Sequence, residues 1–337
     1  MITNYIFLVM LLHKNLPLFT DLINVTANLL NIQSSYIERD YWQVFALHTI
    51  QQDPLADNII LKGGTALTKC FQLIKRIPDD IDFVIARKEG ETDSRLKSKL
   101  KRIGNIISKE IPEIPIEGLT RKMGMNRKTA HSYFKFNDDD YCPENNLVII
   151  DYSWLGEFKP YSSCSLNSFI GDTLAELGQN IIIDQFKLFP FKMNVLDPFR
   201  TFCEKIMSLV RFSYSEDPIY DLSKKVKHTY DLYQLLQYER FQLFLQSEEF
   251  FKMMINVAYR DAKSLRNNNH WLKYHPVESV FFNKLNENWS SHLSQVYNTK
   301  FSTTVYESLP PDVQILETLF LIKNRLKEMC WDILILK

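Results

Sequence analysis

At 337 residues with 45% hydrophobic side chains, the chain is long enough for two domains and a substantial core, which argues against a disordered protein. Forty basic residues balance forty acidic ones, so a uniformly basic nucleic-acid coat is disfavoured and any polyanion must be met by a local patch. The five cysteines (Cys70, Cys142, Cys164, Cys203 and Cys330) are scattered, with no CxxC or Cys/His zinc spacing; they support neither a disulfide framework nor structural zinc and suggest a reducing, cytoplasmic compartment.

The first apolar run, Tyr5 to Leu12, lacks a basic start and falls short of the roughly 20 residues a bilayer span needs, so it reads as the opening of a packed helix and no membrane partner is expected. Ser34 and Ser35 are placed to cap a helix from Tyr36 to Gln51, with Glu38 in capping-box position. Asn58 to Leu61 reads as a short buried strand, followed by Gly63-Gly64 and a helix starting near Thr65. Asp80 to Ala86 alternates as a strand, with Ile81, Phe83 and Ile85 on one face and Asp80, Asp82 and Val84 on the other.

Thr92 to Lys109 predicts a charged amphipathic helix. Gly118 to Lys135 is basic and irregular, and Leu147 to Tyr152 is an apolar strand carrying Asp151. Beyond Asp197-Pro198 helical periods dominate, over Phe199–Phe212, Val226–Gln237, Gln242–Tyr259 and Pro311–Leu334. The expected fold is therefore α+β, with a boundary near residue 190: an N-terminal α/β domain (1–190) with a mixed sheet, then a C-terminal helical bundle (191–337).

Asp80-Ile81-Asp82 sets two carboxylates on one face of one strand, and two like charges so close call for a cation. All-oxygen ligands suit Mg²⁺ (or Mn²⁺), which binds a few carboxylates together with substrate phosphates. A D-x-D alone is common. Upstream, Lys62-Gly63-Gly64-Thr65 lies between a strand and a helix, where backbone N–H groups and the Thr65 hydroxyl could hold a phosphate; a tight turn that needs glycine only for its conformation is the plainer reading. Asp151 could bring a third carboxylate from a neighbouring strand or simply end its own.

Four stretches carry a resemblance. Ile37 to Trp42 ("IERDYW"), Leu61 to Leu67 ("LKGGTAL") with Arg76 and Asp80-Ile81-Asp82, Pro198 to Arg211 ("PFRTFCEKIMSLVR") and Lys227 to Tyr233 ("KHTYDLY") occur in the order found in the AbiEii/AbiGii-type toxin nucleotidyltransferases. The chain resembles this branch of the DNA polymerase β-like nucleotidyltransferase superfamily. The resemblance implies a two-metal enzyme. Asp80, Asp82 and Asp151 would hold the metal, and Gly63, Gly64, Thr65 and Lys205 would position the nucleoside triphosphate. Asp231, next to the apolar Tyr230 and Leu232, would serve the acceptor at the catalytic centre.

The implied acceptor is RNA, plausibly the 3′ end of tRNA, in a toxin–antitoxin or phage-defence system whose antitoxin need not form a stable complex. Two other readings stay open, a catalytically weak nucleotide-binding regulatory module and nucleotidyl transfer to protein. Pro78 in place of the family's serine, Lys227 in place of arginine, Val210 where histidine is common and the short Asp151 side chain are the departures. Glu204, Ser208 and Arg211 share one helix side, as a structural network or a substrate contact. Arg121-Lys122 with Arg127-Lys128, and Lys224-Lys225 with Lys227, read first as solvated charge and second as phosphate-binding patches. His131, His270, His275 and His292 have no partner at metal spacing and are given no function.

Overall fold

The computed structural model describes residues 12–134, 146–155, 158–264 and 269–333; the Tyr5–Leu12 run lies outside these except for Leu12 itself. The chain divides into two units, one of residues 1–71 and 77–195 and the other of residues 72–76 and 196–337.

Among the described residues the first unit has eight strands: β1 (Ile59–Lys62), β2 (Ile81–Ile85), β3 (Glu113–Ile114), β4 (Arg121–Lys122), β5 (Asn126–Ser132), β6 (Leu147–Ser153), β7 (Tyr161–Leu166) and β8 (Phe191–Leu196). They lie in the order β3-β5-β6-β2-β1-β8-β7, with β4 paired to β5. The sheet is mixed as expected: β1 runs antiparallel to β2, β2 parallel to β6, and β1 parallel to β8.

Helices α1 (Leu16–Leu30), α2 (Ser34–Gln51) and α3 (Asp93–Glu110) belong to this unit. Asn15 caps α1, accepting from the Leu18 N–H, and Thr92 caps α3, accepting from the Arg95 N–H. The expected serine cap of α2 is corrected. Ser34 is already helical, Gln33 precedes it without a side-chain cap, and Glu38 is buried. Burial of the helix, including Ile37, Tyr41, Val44, Phe45 and Leu47, supplies what capping does not. Buried Ile81, Phe83, Ile150 and Tyr152 form one face of β2 and β6, where the rings of Phe83 and Tyr152 stack at 5.2 Å.

Between Gly118 and Ser132 the sequence looked irregular, yet β4 and β5 form a hairpin whose second strand pairs along the whole of β6. Charged residues on both strands hide the period-two pattern, and pairing to an apolar neighbour overrides the weak local propensity. His131 is buried there, with its ring nitrogens 3.0 Å from the Ile111 carbonyl and 3.0 Å from the Thr129 hydroxyl, a structural role.

The second unit is helical: α4 (Pro198–Phe212), α5 (Val226–Leu236), α6 (Glu248–Ser264) and α7 (Asp312–Lys327) are its longest elements. Asp197 caps α4, accepting from the Phe199 and Arg200 N–H groups, with Pro198 at the first helical position. Helix α4 packs on α5 and α6, and α5 on α7, around Phe202, Ile206, Leu209, Leu235 and Met254. The single helix expected over Gln242–Tyr259 is corrected to two, Glu239–Gln246 and α6, separated by extended Ser247. Segment 72–76 joins this unit through a bridge between Arg76 and Val305 and a Tyr306 N–H donated to the Lys75 carbonyl.

Candidate active site

Sheet register places the expected carboxylates. Asp82 on β2 pairs with Asp151 on the parallel strand β6, so both side chains leave the same face of the sheet from adjacent strands. On the other side Asp82 pairs with Lys62 of β1, while Asp151 pairs with Lys128 of β5, which in turn pairs with Arg121 of β4. One row thus reads Lys62, Asp82, Asp151, Lys128, Arg121 across five strands, with two anions flanked by cations. Asp80, two residues before Asp82, joins the same face: the Lys128 ammonium lies 3.3 Å from Asp80 Oδ2, and Arg121 lies 3.4 Å from Asp151 Oδ2. Both pairs are long and partly solvated, so they are weak and exchangeable.

Gly63 explains the first glycine of the turn. Its φ of +71° is the left-handed region, and a Cβ at this position would sit 2.7 Å from Asp82 Oδ2. The turn therefore needs glycine twice over, for backbone conformation and to leave the Asp82 carboxylate its place. Lys62 enters the turn extended, Gly63 takes the left-handed conformation, and Thr65 and Ala66 are helical, so the chain turns from strand to helix beside Asp82. Thr65 is buried, and its hydroxyl donates to the Asp80 backbone carbonyl at 2.8 Å. That bond ties the turn to the residue that precedes β2.

The loop before Asp80 is clamped from α2. Arg39 donates to the Asp79 carbonyl at 2.6 Å, and Gln43, one helical turn on, donates to the Pro78 carbonyl at 3.1 Å. Proline at 78 lacks a hydroxyl and an N–H, but its carbonyl is used and the loop is held. The same helix explains the aspartate of "IERDYW". Asp40 is buried and pairs with buried Lys69 at 2.6 Å, whose ammonium lies 3.7 Å from the Phe169 ring centroid, and Asp40 Oδ2 also accepts from the Phe169 N–H. Lys69 follows the glycine turn in sequence, yet this pairing makes it a structural cation.

In the helical unit, Asp231 on α5 accepts two parallel bonds from Arg76, at 2.7 and 2.8 Å, and a third from Lys205 of α4 at 2.6 Å. All three side chains are at most 5% exposed. Burial would raise the Asp231 carboxyl, but Arg76 and then Lys205 outweigh it and hold the group below the usual carboxylate range. Burial pulls the Lys205 amine down, Asp231 opposes this, and Arg76 adds to the fall, leaving it below the usual lysine range. Buried His228 is held well below the usual imidazole range, first by burial and then by Lys205, Lys225, Lys227 and Arg76. Two buried cations on one carboxylate, beside a neutral histidine whose Nδ1 has no hydrogen-bond partner, make an environment of excess positive charge. Glu204 pairs with Arg200 one turn earlier on α4, at 3.1 Å.

Of the expected site residues, the structure brings Asp80, Asp82, Asp151 and Gly63 to one face, and Lys205 and Asp231 to each other. Lys62, quoted within "LKGGTAL" but given no role, and Lys128, read as solvated charge or part of a phosphate-binding patch, were not expected beside the carboxylates. Only strand register reveals them, and the basic tint of residues 121 to 128 was the one signal available. Among the described residues no three His, Cys, Asp or Glu side chains converge as a metal cage. The donor set nevertheless fits a hard divalent ion, because such ions take one or two carboxylates and complete their shell with substrate phosphates and water. In this structure the charge such an ion would neutralise is met by Lys128 and Arg121. The described cysteines are free thiols, and none of the described helices is long and apolar enough to cross a membrane.

Residues 46–307 match the model of a family described as "Nucleotidyl transferase AbiEii toxin, Type IV TA system". A search of curated proteins finds no match. Among solved structures, the nucleotidyltransferase toxin MenT4 from Mycobacterium tuberculosis H37Rv is similar at 12% identity, over 89% of this chain and 98% of that chain, with a TM-score of 0.43.

Proposed function

This chain belongs to the AbiEii nucleotidyl transferase toxin family of type IV toxin–antitoxin systems, and from that premise we propose that it transfers a nucleotidyl group from a nucleoside triphosphate to the 3′ end of an RNA, with tRNA as the first candidate. The observation that carries the reading is the Asp82–Asp151 register pair with Asp80 on the same face and Gly63 packed against Asp82. A pyrophosphate-releasing transfer needs little covalent help from protein; it needs charge placement and alignment. Asp80, Asp82 and Asp151 would hold a divalent ion, Mg²⁺ or Mn²⁺, which supplies Lewis-acid activation of the acceptor hydroxyl and neutralises phosphate charge. The backbone N–H groups at Gly63 and Gly64 receive the triphosphate where the strand turns into the helix. Lys62 and Lys128 flank the carboxylates and balance their charge before substrate arrives.

Lys205 is the cation the resemblance assigns to the triphosphate, and the excess positive charge around it suits an anion. Asp231 carries three donors and is held ionised without solvent. It is better suited to orienting Lys205 and Arg76 than to taking a proton from the acceptor, so we assign it as a positioning residue. As the toxin of a type IV pair, the chain has a cognate antitoxin, and the pairing requires no stable complex.

The test is incubation of the full chain with Mg²⁺ or Mn²⁺, labelled nucleoside triphosphates and total RNA. Label in RNA that disappears with Asp82→Asn is the expected result. Label in protein would establish a different acceptor. Triphosphate binding without any label would establish a regulatory module, and either outcome overturns the proposal.

A further inference from the structure

We infer that the basic face formed by α3 and the β4–β5 hairpin is the docking surface for the phosphate backbone of the RNA acceptor, an inference that rests on the RNA-transfer reading above. The chain as a whole is neutral, yet between residues 93 and 128 ten lysines and arginines stand against four acidic residues. The structure draws the two halves of this stretch together. Gly124, at the hairpin turn, faces Lys97 of α3 so closely that a Cβ there would lie 3.2 Å from Lys97 Cε. Leu96, Leu100, Ile103 and Ile107 bury the inner side of α3, and Arg95, Lys97, Lys101 and Lys109 are exposed on the remainder. Among the described residues, none of these four makes an ion pair. Farther along α3, Ser98, Arg102, Asn105 and Lys109 line, with Lys101 and Asp53, a groove of about 430 Å³.

Charge alone would suit any polyanion. Two further observations favour RNA. The hairpin ends in the catalytic row itself, with Lys128 on Asp80 and Arg121 on Asp151. A chain bound along the cations therefore leads to the atoms where transfer would occur. The hairpin turn also exposes Met123 and Met125, 65% and 48% accessible, which offer soft apolar contact to the faces of unstacked bases. Phosphate contacts of this kind set position without reading sequence. The surface would therefore accept RNA generally and leave selection of the end to the catalytic face.

The experiment compares the full chain with Lys97→Glu/Lys101→Glu/Lys122→Glu and, as a folding and charge control, the corresponding triple arginine variant. Fluorescently labelled tRNA is titrated by anisotropy at several salt concentrations, and the KM for RNA and for triphosphate are measured in parallel. The glutamate variant is expected to bind tRNA about 10- to 100-fold more weakly and to flatten the log–log salt slope by about two to three, roughly one per lost phosphate contact. Its triphosphate KM stays unchanged, and the arginine variant behaves as wild type. An unchanged tRNA affinity and salt slope in the glutamate variant overturn the inference, even if wild type labels RNA. If wild type binds tRNA through this face but transfers nothing to it, the surface stands and the transfer reading falls. Binding of vesicles containing anionic lipid, or of an acidic protein, in preference to tRNA overturns the surface assignment.

Discussion

The α/β unit and the helical unit each set carboxylates against cations, but they do so in opposite surroundings. Around Asp80 and Asp151 the pairs are 3.3 and 3.4 Å long, and Arg121 is more than half exposed. Around Asp231 three bonds of 2.6 to 2.8 Å are closed off from water. An exposed pair is screened and contributes about 0–1 kcal/mol, so substrate or metal can displace it at little cost. A buried pair loses hydration on both sides, and breaking it leaves an uncompensated charge. The same residue types therefore form an exchangeable site in one unit and a fixed frame in the other.

The sharpest break in that comparison is Asp82→Asn. Transfer is expected to fall on the order of 10⁴-fold, whereas urea unfolding should shift by no more than about 0.5 kcal/mol, because asparagine keeps the shape of the side chain and the residue is only partly buried. A large loss of stability would place Asp82 in the frame. Asp231→Ala is expected to weaken the fold as well as transfer, costing about 3–5 kcal/mol in urea or thermal unfolding because Arg76 and Lys205 are left buried without their anion. Its pH dependence adds a second readout. Asp231 is held below the usual carboxylate range, so its contribution is fully present above the unfolded value near 4 and is lost as pH falls through the lower folded value. Wild-type stability should therefore decline in acid more steeply than that of Asp231→Asn, measured by urea midpoint against pH.

These contrasts also show what could be read without coordinates. The D-x-D pair and the strand alternation around it required only the period of two, and the helices of the second unit were visible in their spacing. Asp151 as partner of Asp82 was an open choice, because register depends on which strands are neighbours, and β2 and β6 are far apart in sequence. Lys128 and Arg121 were seen as charge without position, since the hairpin that aims them has little apolar patterning. The role of Arg76 was hidden for the same reason: its partner lies 155 residues away. Burial turned Asp40 and Lys69 from surface-looking charges into an internal pair, and nothing local in "IERDYW" announces that.

A smaller effect is expected from Gly63→Ala. The left-handed φ costs a residue with a Cβ about 1–2 kcal/mol, and the added methyl meets Asp82 Oδ2. A shift of the carboxylate by the order of an ångström lowers transfer about 100-fold, so activity should suffer more than the unfolding midpoint does. Equal losses in stability and turnover would mean that the glycine serves the turn alone.

The mildest change tests whether the open pairs are in fact exchangeable. Lys128→Ala removes the ammonium 3.3 Å from Asp80, a pair about one-fifth exposed on either side. Stability should change by less than about 1 kcal/mol, and the difference should shrink in salt. If the lysine competes with a divalent ion for Asp80, its loss should lower the half-saturating Mg²⁺ concentration for transfer by roughly 1.5- to 5-fold, the equivalent of the same small energy. If instead the lysine supports bound substrate, the triphosphate KM should rise while the metal requirement stays put. The two outcomes move different constants in one titration, so Lys128 can be assigned to the resting charge balance or to the reacting complex.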